Sequence, residues 1–509
     1  MLSRAIPTVK YSDLPRTALS RRLAVLASVL ALATLSCRNN EATAPVTGTM
    51  LVFTLQPSNA VVDSSIVPAI VVTIQDASGN TATTSNATVT LALSVNPGGA
   101  NLRGATQVVA VAGIASFAYL SLDRAGTGYS FVASSSNLDS ATSASFNVTS
   151  VTAGSFASVN TGGNSTCGVS TSGVGYCWGN NNLGQLGNGA TTNSSTPTKV
   201  VGGLTFRSVA VGGLYEFSCG LSVAGAAYCW GYNDYGQLGN GNFVNSISPV
   251  AVAGNLTFTS LSVGESGHAC AIAGSGTAYC WGYNGSGQLG VATIAYSSTP
   301  VPVSGGLSFA AISAGENGQT CGITPAGAAY CWGSNSNGEL GNGTTIGGSA
   351  PIAVSGGLTF RSIAAGFAST CGITTSGAAY CWGDNTYGEL GNGSTANSKT
   401  PVAVTGGLTF SAISVGDAFV CGLTTSGVAY CWGYSAQGQL GSGSAVRSTT
   451  PVVVLGGLTF ATISAGYGSA CAVTPGGAAY CWGDNAFGEL GNSATGGAAF
   501  RPVLVVTPP

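Results

Sequence analysis

The sequence predicts an all-β protein, with a β-sandwich over residues 46–149 and a seven-bladed β-propeller over residues 153–507. Three observations predict it. All seven tryptophans lie in one tripeptide, Cys-Trp-Gly, at Trp178, Trp230, Trp281, Trp332, Trp382, Trp432 and Trp482, with successive spacings of 52, 51, 51, 50, 50 and 50 residues. Self-similarity at such a period is the signature of a repeat architecture, and four short strands per copy are the content of a propeller blade. Charged residues make up only 6% of the 509 positions while 45% are hydrophobic, which suits packed sheets and not a disordered chain.

The N-terminus reads as an export signal. Arg21 and Arg22 precede an apolar stretch from Leu23 to Leu35, too short for a membrane span and suited to the apolar region of a signal peptide. The run Thr34-Leu35-Ser36-Cys37 resembles a bacterial lipoprotein cleavage site, at which Cys37 would be lipidated, although Thr34 stands where Leu is usual. An ordinary signal peptide cut nearby is the alternative. Residues 1–37 are thus expected to be the signal and 38–45 a linker. The chain is expected at the cell envelope or surface, with a lipid on Cys37 as its sole hold on the membrane. Formal net charge is −2; without the first 37 residues, which carry five of the bases and one acid, it is −6. No basic stripe forms, so nucleic acid is not an expected partner.

Residues 46–149 contain no cysteine and alternate apolar and polar residues at Met50 to Leu55, Ala69 to Gln75, Thr88 to Leu93, Thr106 to Val111, Ala115 to Leu120, Ser130 to Ala133 and Ala144 to Val148. Turn clusters such as Asp76-Ala77-Ser78-Gly79-Asn80 separate them, which predicts a sandwich of about seven strands. The order of these segments resembles bacterial immunoglobulin-like domains of the invasin and intimin kind. The resemblance implies a spacer on a surface protein.

Within the repeats, the sixth copy illustrates the four strands: Phe410 to Val415, Cys421 to Thr424, Val428 to Gly433 and Val452 to Val454, the last after a loop bearing Gly438-Gln439-Leu440-Gly441. Fourteen cysteines form seven pairs ten positions apart: Cys167 with Cys177, Cys219 with Cys229, Cys270 with Cys280, Cys321 with Cys331, Cys371 with Cys381, Cys421 with Cys431 and Cys471 with Cys481. If Cys421 faces Cys431 across a hairpin, the loop is Thr425-Ser426-Gly427. A three-residue hairpin loop ends in a left-handed residue, normally Gly. That position is Gly in every copy: Gly173, Gly225, Gly276, Gly327, Gly377, Gly427 and Gly477. Pro325 and Pro475 take the first loop position, which a type I turn favours. The turn therefore sets the cysteine register, and an even set at fixed spacing in an exported chain reads as disulfides. No CxxC occurs and the chain has one His, so no metal site is expected.

The unit "AG…CGLTTSG-AYCWG-N--GELGNG" resembles the repeat of the regulator of chromosome condensation family over about 355 residues. The resemblance implies a seven-bladed propeller. The eukaryotic founder of that family is a nuclear exchange factor for a small GTPase and binds chromatin; secreted bacterial relatives include an inhibitor that caps β-lactamases. This chain departs from the pattern by adding a cysteine pair to every copy and by keeping the His two residues before the first cysteine only at His268.

Catalysis is not expected. A Ser-His-Asp triad could use only His268, which sits at a repeat position. Glu339, Glu389 and Glu489 share a slot with Gln185, Gln237, Gln288 and Gln439, which does not suit a general acid. No P-loop or Rossmann fingerprint appears, and no cofactor is expected. The chain reads as a binding module at the cell surface for a protein or glycan ligand. A nucleotide-exchange regulator of a small GTPase is the alternative, and an exported glycan-processing enzyme a further one.

Comparison of the copies locates the binding face. The hairpin after the second strand is uniform, and the turn after the fourth is mostly Gly-Gly-Leu, whereas the loop after the first strand and the residues following Cys-Trp-Gly differ. Features shared by all copies serve the fold, so those that differ are free for recognition. The varying face is expected to present Tyr215, Glu216, Phe217, Asp234, Tyr235, Phe367, Asp384, Tyr387, Asp417, Phe419, Tyr467 and Phe487.

Overall fold

A computed structural model describes residues 47–506 apart from 63–65, 67, 119, 150–154, 214 and 215. The signal segment, Cys37 and the whole linker lie outside the described residues, as does Tyr215. Among the described residues there is no helix.

Between residues 47 and 149, Met50–Leu55 pairs antiparallel with Ile70–Gln75, which pairs in turn with Ile114–Phe117. Thr88–Val95 pairs antiparallel with Gln107–Val109 and with Gly126–Ser135. Alternate residues of these strands, among them Phe53, Val72, Leu91, Phe117 and Phe131, bury one common core. Four further short strands, Ala60–Val61, Leu102–Arg103, Ser121–Leu122 and Leu138–Thr142, lie in segments that lack an alternating run.

From residue 155 onward the chain forms seven antiparallel four-stranded sheets, each built from consecutive strands. In the sixth these are Phe410–Val415, Phe419–Thr424, Ala429–Gly433 and Ser448–Val453. The innermost strand of each sheet packs against that of the next, and Phe156–Thr161 of the first against Thr462–Ala465 of the last. The result is a closed seven-bladed propeller. The outer strand begins four residues earlier than its apolar residues suggest. It bulges between the partners of Cys431 and Gly433, and Pro451 sits in that irregular stretch at the blade edge, where no neighbouring strand needs its missing N–H.

The hairpin register follows the cysteine argument. Cys421 faces Cys431 and Leu423 faces Ala429, and the seven loop glycines have φ between 81° and 89°. Every expected pair is disulfide-bonded within its own blade. Cys167 is bonded to Cys177, Cys219 to Cys229, Cys270 to Cys280 and Cys321 to Cys331. Cys371 is likewise bonded to Cys381, Cys421 to Cys431 and Cys471 to Cys481. The Cα atoms of each pair are 4.0–4.1 Å apart. Each bridge sits in the layer between blades. Cys371, Cys381 and Leu390 of one blade meet Phe410 and Trp432 of the next. Phe410 lies 5.8 Å from Trp432, and Gly422 makes room for its ring, since a Cβ there would come within 2.7 Å of it.

Candidate functional site

The loops after the first and third strands share one face of the disc. The N–H of Tyr434, just after Cys-Trp-Gly, donates to Ala418 O in the first loop at 2.9 Å, as Asn180 does to Asn164, Tyr283 to Gly267 and Asp484 to Gly468. At the centre of this face each innermost strand leads into a glycine: Gly162, Gly212, Gly264, Gly315, Gly366, Gly416 and Gly466. The ring is too tight for side chains. A Cβ on Gly366 would lie 2.5 Å from Gly416 O, one on Gly416 2.3 Å from Gly466 O, and one on Gly466 2.4 Å from Gly162 O.

The next residue in each blade stands at the mouth of the central channel: Gly163, Gly213, Glu265, Glu316, Phe367, Asp417 and Tyr467. In four blades its backbone is fixed by the neighbouring blade. Glu316 N–H donates to Gly366 O at 2.7 Å, Phe367 to Gly416 at 3.3 Å, Asp417 to Gly466 at 3.3 Å and Tyr467 to Gly162 at 3.1 Å. The fold thus holds the main chain here and leaves the side chain free to differ.

Below the mouth, a channel cavity of about 190 Å³ is lined by the innermost strands of all seven blades and by Glu265 and Glu316. Its waist is knitted together. Ser262 Oγ accepts from Ala314 N–H (2.9 Å), Ser313 Oγ from Ala365 (3.0 Å), Ser414 Oγ from Ala465 (2.9 Å), Ser464 Oγ from Thr161 (3.1 Å), and Asn160 Oδ1 from Val211 (2.8 Å).

The carboxylates at the mouth are not satisfied in this way. Glu265 is 3% exposed, and no protein group donates to either of its oxygens or to Oε2 of Glu316. Burial, then the Asp417 carboxylate, push the Glu265 carboxyl up to about 8. Burial, then Glu265 and Asp417, hold Glu316 well above the usual carboxylate range. Burial, then Asp384, push Asp417 up to about 6. Glu265 and Glu316 thus both feel the Asp417 charge, and all three acids hold the same position, directly after the repeated glycine, in their blades. Glu265 and Glu316 were not among the residues expected on this face. Their signal in the sequence is the position directly after the repeated glycine.

The structure divides the expected face residues. Tyr387 and Tyr467 are exposed, at 38% and 44%. Tyr387 stands edge-on to Tyr434 at 4.9 Å, and Tyr235 to Tyr283 at 5.1 Å. Asp234 is exposed and accepts from Tyr232 OH, while Phe367 and Phe487 are half-buried. Glu216 is half-buried and accepts from Asn180 Nδ2. Asp384 braces its own loop by accepting from Asn385 N–H and Thr386 Oγ1.

Phe217 and Phe419 do not belong to the face. They are 0% and 1% exposed. They begin their second strands in the slot two residues before the first cysteine, the slot of His268 and Gln319, and their rings lie against Gly212 and Gly416.

His268 is structural. Thr320 Oγ1 donates to Gln288 O at 2.8 Å, so it accepts from His268 Nε2–H at 3.0 Å, and Nδ1 accepts from Ser266 Oγ at 3.1 Å. Burial holds the imidazole neutral, with its pKa lowered to about 3. The Glu/Gln slot is structural too. Glu389 Oε2 accepts from Tyr387 N–H at 2.8 Å, and Gln237 Oε1 takes the N–H of Tyr235 at 2.9 Å. The main-chain carbonyl of this slot receives the next blade's indole N–H in all seven interfaces, at 2.8–3.0 Å. Among the described residues no three His, Cys, Asp or Glu side chains are grouped to hold a metal ion.

The sequence matches the regulator of chromosome condensation (RCC1) repeat at residues 172–217, 224–272, 275–321, 326–373, 376–423 and 426–473, more than half of the chain. The chain belongs to the RCC1 repeat family. Its relatives in that family include the probable E3 ubiquitin-protein ligase HERC4 of Homo sapiens, 30% identical over 36% of this chain and 18% of its own length. The ultraviolet-B receptor UVR8 of Arabidopsis thaliana is 32% identical over 34% of this chain and 39% of its own. The matched stretch is thus less than half of either relative. Among solved structures, human WBSCR16 superposes with a TM-score of 0.59 at 19% identity, covering 65% of this chain and 93% of that one. Prp20p of Saccharomyces cerevisiae superposes with a TM-score of 0.54 at 21% identity, covering 61% and 80%. Both show the RCC1-type propeller fold.

Proposed function

We propose that the propeller is a non-catalytic protein-binding module whose partner docks on the face bearing the channel mouth. The ring after the seven glycines carries this reading. The fold fixes its main chain from blade to blade at four of the seven positions, yet its side chains run Gly, Gly, Glu, Glu, Phe, Asp and Tyr. A position held in backbone yet occupied by five residue types in seven copies suits recognition. The tyrosines around it supply contact area at small entropic cost.

Family membership favours a regulatory protein as partner over a surface ligand. Prp20p was solved together with its binding properties to Gsp1p and histones, and a partner of that kind, with exchange on a small GTPase, is the reading it supports here. The leader-like run before Cys37, the resemblance of Thr34 to Cys37 to a lipoprotein cleavage site and seven disulfides support instead an extracytoplasmic setting, with residues 46–149 as an immunoglobulin-like spacer. The two settings call for different extracts.

Immobilised protein is incubated with soluble and envelope extracts of its own cell, beside variants Tyr387→Ala, Tyr467→Ala and Asp417→Asn. A partner held by the parent protein and lost from these variants supports the assignment. Retention by all three overturns it. Release of labelled GDP from a captured GTPase decides for exchange.

A further inference from the structure

We propose that Glu265, Glu316 and Asp417 form a socket at the channel mouth for one cationic side chain, arginine or lysine, presented by the docked protein. This rests on the reading above and names what the centre of that face recognises.

Charge is segregated within the propeller. All ten of its carboxylates, from Glu216 to Glu489, fall in the loops after the first and third strands or at the end of the third. Five of its six basic residues do not; the sixth, Arg447, ends the loop after the third strand of the sixth blade and donates to Thr386 O. Lys199, Lys399 and Arg501 lie in outer strands, while Arg207 and Arg361 sit at the second position of innermost strands, at the end remote from the mouth. The face therefore draws a basic partner, and the pull is strongest where carboxylates gather in a concave, low-dielectric site.

The hydrogen-bonding of the mouth gives the second observation. Gln319 is 0% exposed; its Nε2 donates to Gly366 O at 2.7 Å, the carbonyl that also receives Glu316 N–H, yet its Oε1 has no donor. With both oxygens of Glu265 and Oε2 of Glu316, four buried acceptor atoms on these two adjacent blades lack a donor. Buried acceptors are normally satisfied. A guanidinium brings five N–H donors and an ammonium three, with no acceptor to be stranded. The same acceptors would repel an anion.

Shape agrees. The lack of a side chain at Gly213 leaves room for the Glu265 carboxylate, which lies 1.9 Å from where a Cβ on Gly213 would be. Beneath is the 190 Å³ cavity, at whose waist Ser262, Ser313, Ser414, Ser464 and Asn160 already accept from the main chain of a neighbouring blade. The acids are not grouped to hold a metal ion. Because burial and mutual repulsion keep them partly protonated, a bound cation would expel protons.

The test uses isothermal titration of the full chain at low ionic strength with acetyl-Gly-Gly-Arg-Gly-Gly-amide, its Gln counterpart, methylguanidinium and calcium chloride. The arginine peptide is expected to bind saturably and the Gln peptide about tenfold or more weakly, with similar loss in Glu265→Gln/Glu316→Gln. Glu389→Gln, outside the mouth, should leave binding unchanged. Heats in two buffers of different ionisation enthalpy should reveal proton release at pH 7 that fades above pH 9. Equal binding of both peptides, or full retention by the double variant, overturns the socket. So does calcium binding that displaces the peptide, which would make this an inorganic cation site. Methylguanidinium binding as tightly as the peptide overturns the assignment to a partner's side chain. If the peptide fails while capture still depends on Tyr387 and Tyr467, the socket falls and the protein-binding reading stands.

Discussion

The indole N–H of Trp178 in the first blade donates to the main-chain oxygen of Glu489 in the last, at 2.9 Å. The propeller closes here without exchanging a strand, since the first and last sheets are each built from their own four consecutive strands. Closure therefore depends on the same side-chain contacts that join any two blades. Thr166 Oγ1 donates to that oxygen as well, at 2.9 Å.

A first prediction follows from this shared acceptor. Trp178→Phe and Thr166→Val each leave Glu489 O with one donor, so each should cost about 1–2 kcal/mol. The double variant strands a buried carbonyl and should lose about 1–3 kcal/mol beyond the sum of the two. Urea denaturation of the four proteins measures the coupling; strict additivity would refute the shared role.

A second prediction concerns the staples. Proteolysis of the unreduced protein should release each blade's hairpin as its own bridged pair, with no link between blades. Cys421→Ala/Cys431→Ala removes one short loop constraint, worth roughly 2–3 kcal/mol in the chain-entropy treatment. It also opens space against Phe460 and Trp482, which pack on that bridge. A loss well below 1 kcal/mol in chemical denaturation would show that the bridge is dispensable.

The hairpin register was legible in the sequence because one conformational demand, φ near +81° at Gly427, coincides with the symmetry of the cysteine numbers. The varying face was legible only as a difference between copies. That criterion mixes loop and strand: Phe217 and Phe419 differ from their counterparts because the slot accepts Phe, His, Gln or Ser in a buried site, and variation alone does not reveal burial. It also passed over Glu265 and Glu316, whose importance lies in the unsatisfied oxygens and the close packing of the glycine ring. Both are properties of blades brought together from distant parts of the chain. Asn233 and Asn385, which lie among the differing residues, turn out to be repeated braces that accept the N–H of Leu238 and Leu390.

A third prediction uses the Glu/Gln slot. Burial pushes the Glu389 and Glu489 carboxyls up to about 7, against 4.5 ordinarily. Between those values the folded chain keeps a proton that the unfolded chain has lost, so stability falls as pH rises from 4.5 to 7. Glu389→Gln should match or fall slightly below the parent protein at pH 4.5, because Gln adds an amide N–H like the unpartnered ones of Gln185, Gln237 and Gln288. At pH 8 it should melt higher. Parallel pH profiles for variant and parent would refute it.

The last prediction concerns acid. The His268 pKa is lowered from 6.5 to about 3 because a charged ring would be buried among Ser266, Thr320 and close backbone. The folded protein binds fewer protons at this ring than the unfolded chain does. Its contribution to stability is therefore complete above pH 6.5 and is lost as pH falls toward 3. Phe fills the same slot in two blades, at Phe217 and Phe419, so His268→Phe is a replacement this architecture already accommodates. The hydroxyl of Thr320 keeps its bond to Gln288 O in that variant, and Ser266 loses only an acceptor. Thermal melts at pH 7.5 should place the variant within a few degrees of the parent protein, and melts at pH 4.5 should place it clearly above. An unchanged difference between the two pH values would mean that His268 is not held neutral, and the hydrogen-bond assignment around it would have to be redrawn.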